Sequence, residues 1–139
     1  MEPMTIQLST SARNARLDAI ETDTGTSAVI KIRTGAQPAA CATADSGTVL
    51  ATFSLASDWA AAASSGAKAL SSLPVSDVSA DATGTAGHFR LYKSDGTTCQ
   101  VQGSVTATGG GGDMTLDNTS IALLQIVNIT AFTLTDGNA

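Results

Sequence analysis

The residues of this chain that could do chemistry are few and far apart. The one histidine is His88, and the two cysteines are Cys41 and Cys99. No serine, cysteine or carboxylate lies at a motif spacing that would make His88 a catalytic base, so the sequence predicts a structural or surface role for it. We therefore expect no catalytic residue and a protein that is not an enzyme.

The two cysteines leave two interpretations open. They are too few for a disulfide scaffold, and they are not spaced as the ligands of a metal site. Cys41 and Cys99 are then either two buried thiols or one disulfide between distant strands, which would need an oxidising medium.

Oxygen ligands gather after a run of four glycines, at Asp113, Asp117 and Asn118. They lack the alternating ligands and the terminal glutamate of a calcium loop, which favours turn formation. The glycine run lacks the Gly-Lys-Ser/Thr ending of a phosphate loop and is interpreted as a flexible hinge. Trp59 and Tyr92 could form a carbohydrate platform, but single aromatic residues more commonly anchor a core or an interface. We expect no cofactor and no metal.

Small residues dominate the composition: just over half of the 139 residues are Ala, Ser, Thr or Gly. A chain of this length fits one domain, and its few large side chains suit a thin sheet sandwich better than a helical bundle. Charged residues make up only 14 % of the chain. A surface so poor in charge is typical of proteins that pack against other proteins, and also of secreted β-proteins.

The charge and hydropathy patterns predict which kinds of partner the protein does not have. The net charge is −5, and no basic stripe is present to neutralise phosphates, so we expect no nucleic-acid partner. No apolar run approaches 18 residues, so we expect no membrane span. The N-terminal sequence lacks a signal pattern, which predicts synthesis in a cytoplasm.

The first 26 residues predict an N-terminal arm and a short helix. Hydroxyl groups at 9–11 offer caps ahead of the sequence ARNARLDAIE. Leu17 and Ile20 form a narrow apolar face, while Arg13 and Arg16 share another stripe. Such a helix is too weak to be stable alone and must dock on its own domain or on a neighbour. We expect Arg13, Arg16, Leu17 and Ile20 to be partner-binding residues.

Residues 27–139 predict one mainly β domain, an antiparallel β-sandwich or jelly-roll-like fold. Ser94-Asp95-Gly96 marks a hairpin turn, and the apolar phase of the last strand changes near Thr130, which indicates a bulge or burial on both faces. Alternating apolar residues predict strands at 28–33, 49–55, 88–93, 97–106 and 124–134.

The side-chain faces of these strands follow from the same alternation. On the first hairpin strand Phe89 and Leu91 point inward and His88, Arg90 and Tyr92 point away, while Cys99 points inward on the second. The alanine-rich segment 59–70 predicts a short helix or a loop, and 71–87 an exposed connection. The predicted core anchors are Phe53, Phe89, Val101, Ile129 and Phe132.

Three segments of the chain together show a resemblance. They are STSARNARLDAIE followed by IKIRTG, then TATGGGGDMTLDN, and the tail FTLTDGNA. Together they resemble small structural proteins encoded in the structural-gene modules of tailed bacteriophages. The resemblance implies a virion component, and it carries over no functional residues.

A capsid decoration or cement protein fits both the resemblance and the composition. Such a protein, on the capsid exterior, stabilises the head by binding across major capsid subunits. We expect a homo-oligomer, a trimer or other cyclic cluster, that buries Leu70, Leu73 and Val75 between copies. The alternative is a tail, neck or fibre β-module that binds a host surface or a glycan.

Overall fold

The computed structural model describes residues 6–137 and has a mainly β fold with one N-terminal helix, which confirms the predicted fold class. The helix α1 begins one residue after its cap, because the Ser9 hydroxyl accepts a hydrogen bond from the Ala12 N–H at 3.1 Å. The elements in chain order are α1 Thr10–Thr24, β1 Val29–Thr34, β2 Val49–Ser54, β3 Ala67–Ala69, β4 Val75–Asp77, β5 Gly84–Tyr92, β6 Cys99–Ala107, β7 Met114–Leu116, β8 Ser120–Ile121 and β9 Val127–Thr135.

The strands form one curled sheet in the order β2-β1-β5-β6-β7-β9-β3, with β4 paired to β9 and β8 to β5. Its pairs are antiparallel except β6 with β7. The curl brings the segment after β4 to the edge strand β2. There the Asp81 N–H donates to the Leu50 carbonyl at 2.8 Å, and the Asp77 carboxylate accepts from the Thr52 N–H at 2.9 Å. This edge is therefore covered.

The core lies on one face of the central strands. Ile30 of β1 is paired with Phe53 of β2 and with Leu91 of β5, so all three share that face, and all are buried. Phe89 meets Phe132 edge to face with ring centroids 4.9 Å apart. Four of the five predicted core anchors, the three phenylalanines and Ile129, are buried, while Val101 packs half-buried against the cluster.

The opposite face of β5 differs from the prediction. His88, Arg90 and Tyr92 were expected to point away from the core, yet each is at most 1 % exposed. Residues 35–48, which we call the covering loop, pack over this face. Cys99, expected to point inward, is paired with Tyr92 after a register shift. The shift places it on the side of the covering loop, because one extra residue moves a side chain to the other face.

The segment 59–70 forms no helix, so the helical interpretation is wrong. Ser65 and Gly66 have positive φ angles of 53° and 73°, and together they make a tight turn. Ser64 and Ala67 exchange backbone hydrogen bonds across it at 2.9 Å. Leu70 pairs with Ala60 and is buried, so it is unavailable to a neighbouring copy. The expected exposed connection at 71–87 instead contains β4 and the start of β5.

The hairpin and the bulge are where the sequence places them. Strands β5 and β6 flank Ser94-Asp95-Gly96, and the Gly96 N–H donates to the Lys93 carbonyl at 3.0 Å. In the pairing of β7 with β9, Thr115 lies opposite Ala131 and Leu116 opposite Ile129. Thr130 is the extra residue, which confirms the predicted bulge and explains the change of apolar phase.

The four glycines 109–112 form an ordered turn between two parallel strands. Parallel neighbours usually need a crossover of about a dozen residues, whereas residues 108–113 alone connect β6 to β7. Gly109 and Gly111 have φ angles of 85° and 82°, and the Gly112 N–H donates to the Thr106 hydroxyl at 2.9 Å. The run thus has a defined conformation instead of the hinge expected from composition.

Candidate binding surfaces

His88 has the structural role that the sequence predicts. Its side chain is fully buried, and its Nδ1 atom lies 2.8 Å from the Gly35 carbonyl oxygen at the start of the covering loop. Within the described part of the chain, its Nε2 atom has no hydrogen-bond partner. The histidine therefore helps to seat the loop.

Arg90 is the centre of the contacts that hold the covering loop. Its Nη2 atom donates to the carbonyl oxygens of Ala40, Cys41 and Thr43 at 2.9, 3.1 and 3.0 Å. Its Nη1 atom pairs with the Asp45 carboxylate. Five N–H groups in a rigid fork suit such a set of acceptors, so one buried guanidinium holds the backbone at the middle of the covering loop.

Asp45 receives further donors from the sheet. The Tyr92 hydroxyl donates to its Oδ1 atom at 2.7 Å, and Arg33 donates to Oδ2 at 2.9 Å. Burial opposes ionisation of Asp45, but the hydrogen bonds from Arg90 and Tyr92 and the charge of Arg33 outweigh it and lower the pKa of Asp45. Burial and the bond to Asp45 raise the pKa of Tyr92. These groups bond to one another and to the loop, so we interpret the network as structural.

Trp59 is also internal. It is buried, and its Nε1–H donates to the Gly25 carbonyl oxygen at 3.0 Å, just past the end of α1. Tyr92 is buried under the covering loop. The two aromatic residues therefore form no carbohydrate platform, in agreement with the interpretation as core anchors.

The acidic residues near the glycine run form turns. The Asp113 Oδ2 atom accepts from the Ser104 N–H and hydroxyl, both at 2.8 Å, and these bonds lower the pKa of Asp113. Asp117 accepts from the Asn128 side chain at 2.7 Å, and Asn118 from the Ser120 N–H at 2.9 Å. Among residues 6–137, no group of three or more histidine, cysteine or acidic side chains is placed to hold a metal ion.

Helix α1 docks on its own domain through polar side chains. Asn14, Asp18 and Glu21, spaced by four and three residues, share one side of the helix. They accept hydrogen bonds from the backbone N–H groups of Gly66, Ala63 and Ala60 at 2.9, 2.9 and 3.3 Å. These three donors are spaced three residues apart along the chain. Backbone N–H groups along this segment are therefore satisfied by the helix, as a neighbouring strand would satisfy them.

The docking of α1 leaves some of the four predicted partner-binding residues accessible and engages the others within the domain. Leu17 is buried, and the Arg13 Nη1 atom donates to the Asp136 carbonyl oxygen at 3.0 Å. Arg16 keeps 63 % of its side chain exposed while its Nε atom lies 3.2 Å from the Asp136 carboxylate. Arg16, Leu17 and Ile20 line a shallow groove of about 430 Å³. Partner binding by this face stays a prediction, with Arg16 and Ile20 its accessible members.

The structure has a second candidate binding surface, which the sequence analysis did not predict. The loops 78–80 and 122–126 are joined by hydrogen bonds from the Ala80 N–H to the Gln125 carbonyl at 2.8 Å and from the Leu124 N–H to the Ala80 carbonyl at 2.9 Å. Their large apolar side chains are 73, 55, 70 and 56 % exposed. We call this surface the apolar tip: Val78, Leu123, Leu124 and Ile126.

Leu124 also has strained backbone geometry, with a φ angle of 68°. A bulky residue in this region is uncommon and costs about 1–2 kcal/mol. No charged residue occurs from Asn118 to Thr135 in the sequence, so the strand behind the tip is neutral. The run ALLQI was a signal for such a surface, because its leucines do not fit the alternation of the strand that follows.

Comparison with known proteins identifies no relative. No protein-family model matches the chain, and no curated protein or solved structure is significantly similar to it. The described residues include no helix long and apolar enough to cross a membrane.

Proposed function

We propose that this protein is a structural protein of a tailed-bacteriophage virion. Its role is that of a capsid decoration or cement protein, which acts without catalysis on the capsid exterior. It stabilises the head by binding across major capsid subunits as a homo-oligomer, a trimer or other cyclic cluster. The observation that carries the proposal is the apolar tip, together with the resemblance of the sequence to virion proteins.

The chemistry of the tip indicates the kind of partner it fits. Four apolar side chains stand together, each more than half exposed. Fully burying one such side chain contributes about 1.5–3 kcal/mol. The strand after residues 122–126 is uncharged, and the two acids that flank the other loop, Asp77 and Asp81, bond to Thr52 of β2. The complementary surface on a capsid subunit is therefore apolar. Strain held at an exposed leucine is typical of a residue positioned for binding.

The body that carries the tip is suited to repeated, rigid attachment. The covering loop is fixed by Arg90, and the edge of β2 is covered by the segment of Asp77 and Asp81. A covered edge disfavours association by strand addition, because few backbone groups remain to pair. We therefore assign attachment to side chains, through the tip and in addition through Arg16 and Ile20.

The test is binding to capsids assembled without this protein. Wild-type protein is expected to bind them and to raise the temperature at which they rupture. The variant Leu124→Asp, Ile126→Asp is expected to bind at least tenfold more weakly, because two charges would be desolvated in an apolar contact. Ser94→Asp, Thr97→Asp is the matched control, since it adds two charges at exposed residues of the turn between β5 and β6, outside the tip.

Three results would contradict the proposal. Equal binding by the tip variant would exclude the tip, and capsids equally robust without the protein would exclude the cement role. Density for the protein at the tail tip in an electron-microscopic map, with glycan binding by the isolated protein, would favour the tail or fibre module.

A further inference from the structure

The two cysteines lie side by side in the fold. Cys41 belongs to the covering loop and Cys99 begins β6, and both are free thiols that are partly buried. The covering loop lies over β6 at this point, because the Gln102 side chain of β6 donates to the Pro38 carbonyl oxygen at 2.7 Å, and an interaction with the Cys41 side chain is among the causes that raise the pKa of Cys99. The fold has thus brought together two thiols that are distant in sequence.

Each thiol is held by a rigid part of the structure. The Cys41 carbonyl oxygen accepts from Arg90 at 3.1 Å, and the same nitrogen binds the carbonyl oxygens of Ala40 and Thr43. Cys99 is fixed opposite Tyr92 in the sheet, and its Sγ atom lies 3.6 Å from the Val101 carbonyl oxygen. The Arg90 side chain therefore sets the position of Cys41 against β6.

We propose that Cys41 and Cys99 form a reversible disulfide that fastens the covering loop to β6 when the protein meets a small-molecule disulfide such as oxidised glutathione. The Cys41 thiol loses its proton to solvent and attacks one sulfur of the oxidant, which forms a mixed disulfide and releases one glutathione. Cys99 then loses its proton, attacks the Cys41 sulfur and releases the second glutathione. Two protein thiols are oxidised while one glutathione disulfide is reduced to two thiols.

The order of attack follows from the surroundings of Cys99. Burial, with the hydrogen bond to Cys41, raises the pKa of Cys99 to about 12. A thiol that stays protonated at neutral pH is a poor nucleophile, so the first step belongs to Cys41. Once the mixed disulfide exists, the fold holds Cys99 beside the loop residue whose sulfur it must attack, which favours the second step.

The bond would stabilise the folded protein by closing a long loop in the unfolded chain. A disulfide of this kind is expected to raise the melting temperature by roughly 5–15 °C. It would also slow hydrogen exchange of the amides at 36–47, because the loop could no longer lift from the sheet.

The experiment treats the full-length protein with oxidised glutathione and measures intact mass and linked peptides. Wild type is expected to show the mass of a single chain less two hydrogens, with no disulfide between chains, and to yield a peptide pair that joins Cys41 to Cys99. Cys99→Ser is expected to stop at one stable glutathione adduct. Cys41→Ser is expected to form its glutathione adduct more slowly than Cys99→Ser does, because burial still raises the pKa of Cys99 in that variant.

Other products would overturn the proposal. These are two free thiols after oxidation, a stable glutathione adduct on the wild type, or a dimer linked by a disulfide. The double variant Cys41→Ser, Cys99→Ser controls for the oxidant itself and should show the same melting temperature with and without it. If the oxidised wild type melts at the same temperature as its reduced form, the disulfide does not fasten the loop.

Discussion

The ammonium nitrogen of Lys68 lies 2.8 Å from Oδ1 of Asp18. The lysine side chain is 1 % exposed, and its second partner is Oε2 of Glu21 at 2.7 Å. Burial opposes the charged lysine, but the hydrogen bonds that Lys68 donates to Asp18 and Glu21 outweigh it and raise the pKa of Lys68. The bond from Lys68, with the N–H of Ala63, lowers the pKa of Asp18. A helix with a narrow apolar face is thus attached by charge.

Removing the acids of this ion-pair cluster is predicted to destabilise the protein more than removing the lysine. In the double variant Asp18→Asn, Glu21→Gln, a buried cation loses both counter-charges and cannot be hydrated. In Lys68→Met, the carboxylates are partly exposed and water can solvate them. We expect the double variant to lower the urea midpoint of unfolding more than Lys68→Met does.

Asp23→Asn is the control for the loss of helix charge, since Asp23 is an exposed acid on the same helix. It should leave the urea midpoint close to that of the wild type. A larger loss for Lys68→Met than for the double variant would contradict the account of burial given above.

A second prediction concerns acid. Because the folded state holds the pKa of Asp45 below its ordinary value of 3.8, this carboxylate contributes stability above about pH 4. That contribution is lost as the pH falls through the lowered pKa of the folded protein. The melting temperature should fall steeply between pH 4 and lower values in the wild type. In Asp45→Asn, the melting temperature should fall less steeply with decreasing pH. An unchanged dependence on pH would exclude Asp45 as a source of acid sensitivity.

The parts of the fold that the sequence predicts are those set by local rules. Alternation indicates β5 and β6, Ser94-Asp95-Gly96 indicates their turn, and the phase change at Thr130 indicates the bulge. The cap at Ser9 follows from its hydroxyl and position. Each of these signals lies within a few residues of the structure that it predicts.

The parts that escape prediction depend on contacts between distant residues. Nothing near Arg90 indicates that a loop some fifty residues earlier will cover it, because the partners are backbone carbonyls that any residue supplies. The docking of α1 is equally hidden, since Asn14 and Asp18 bind backbone N–H groups of an alanine-rich segment. The apolar tip could not be predicted without knowing that the two loops 78–80 and 122–126 are neighbours in the fold.

The edge-to-face pair of Phe89 and Phe132 gives a third prediction. Both side chains are buried, so Phe89→Ala and Phe132→Ala should each lower the free energy of unfolding by about 3–5 kcal/mol. In a double-mutant cycle, the coupling between them should be about 0.5–1.5 kcal/mol. A near-neutral Phe89→Ala in urea unfolding would mean that β5 faces the other way.

The glycine turn gives a fourth prediction. A Cβ atom at Gly110 would lie 2.7 Å from the Thr106 Cβ atom, too close for any real contact, so Gly110→Ala must displace the turn between β6 and β7. Overpacking of this kind costs about 1–3 kcal/mol. Gly137→Ala is the control, because an added Cβ meets nothing there within 4 Å. Equal melting temperatures for the two variants would show that the turn is looser than described.

The last prediction separates stability from binding at the apolar tip. Asparagine adopts positive φ more readily than leucine, so Leu124→Asn relieves backbone strain while it removes an exposed apolar side chain. We expect the free energy of unfolding to stay constant or to rise by up to about 1 kcal/mol, whereas capsid binding weakens. Leu123→Asn makes the same chemical change at the adjacent exposed residue, whose φ is not positive. It should weaken binding without the gain in stability, because there is no strain to relieve. If Leu124→Asn instead destabilises the protein, the side chain contributes to the fold, and its exposure would not mark a binding surface.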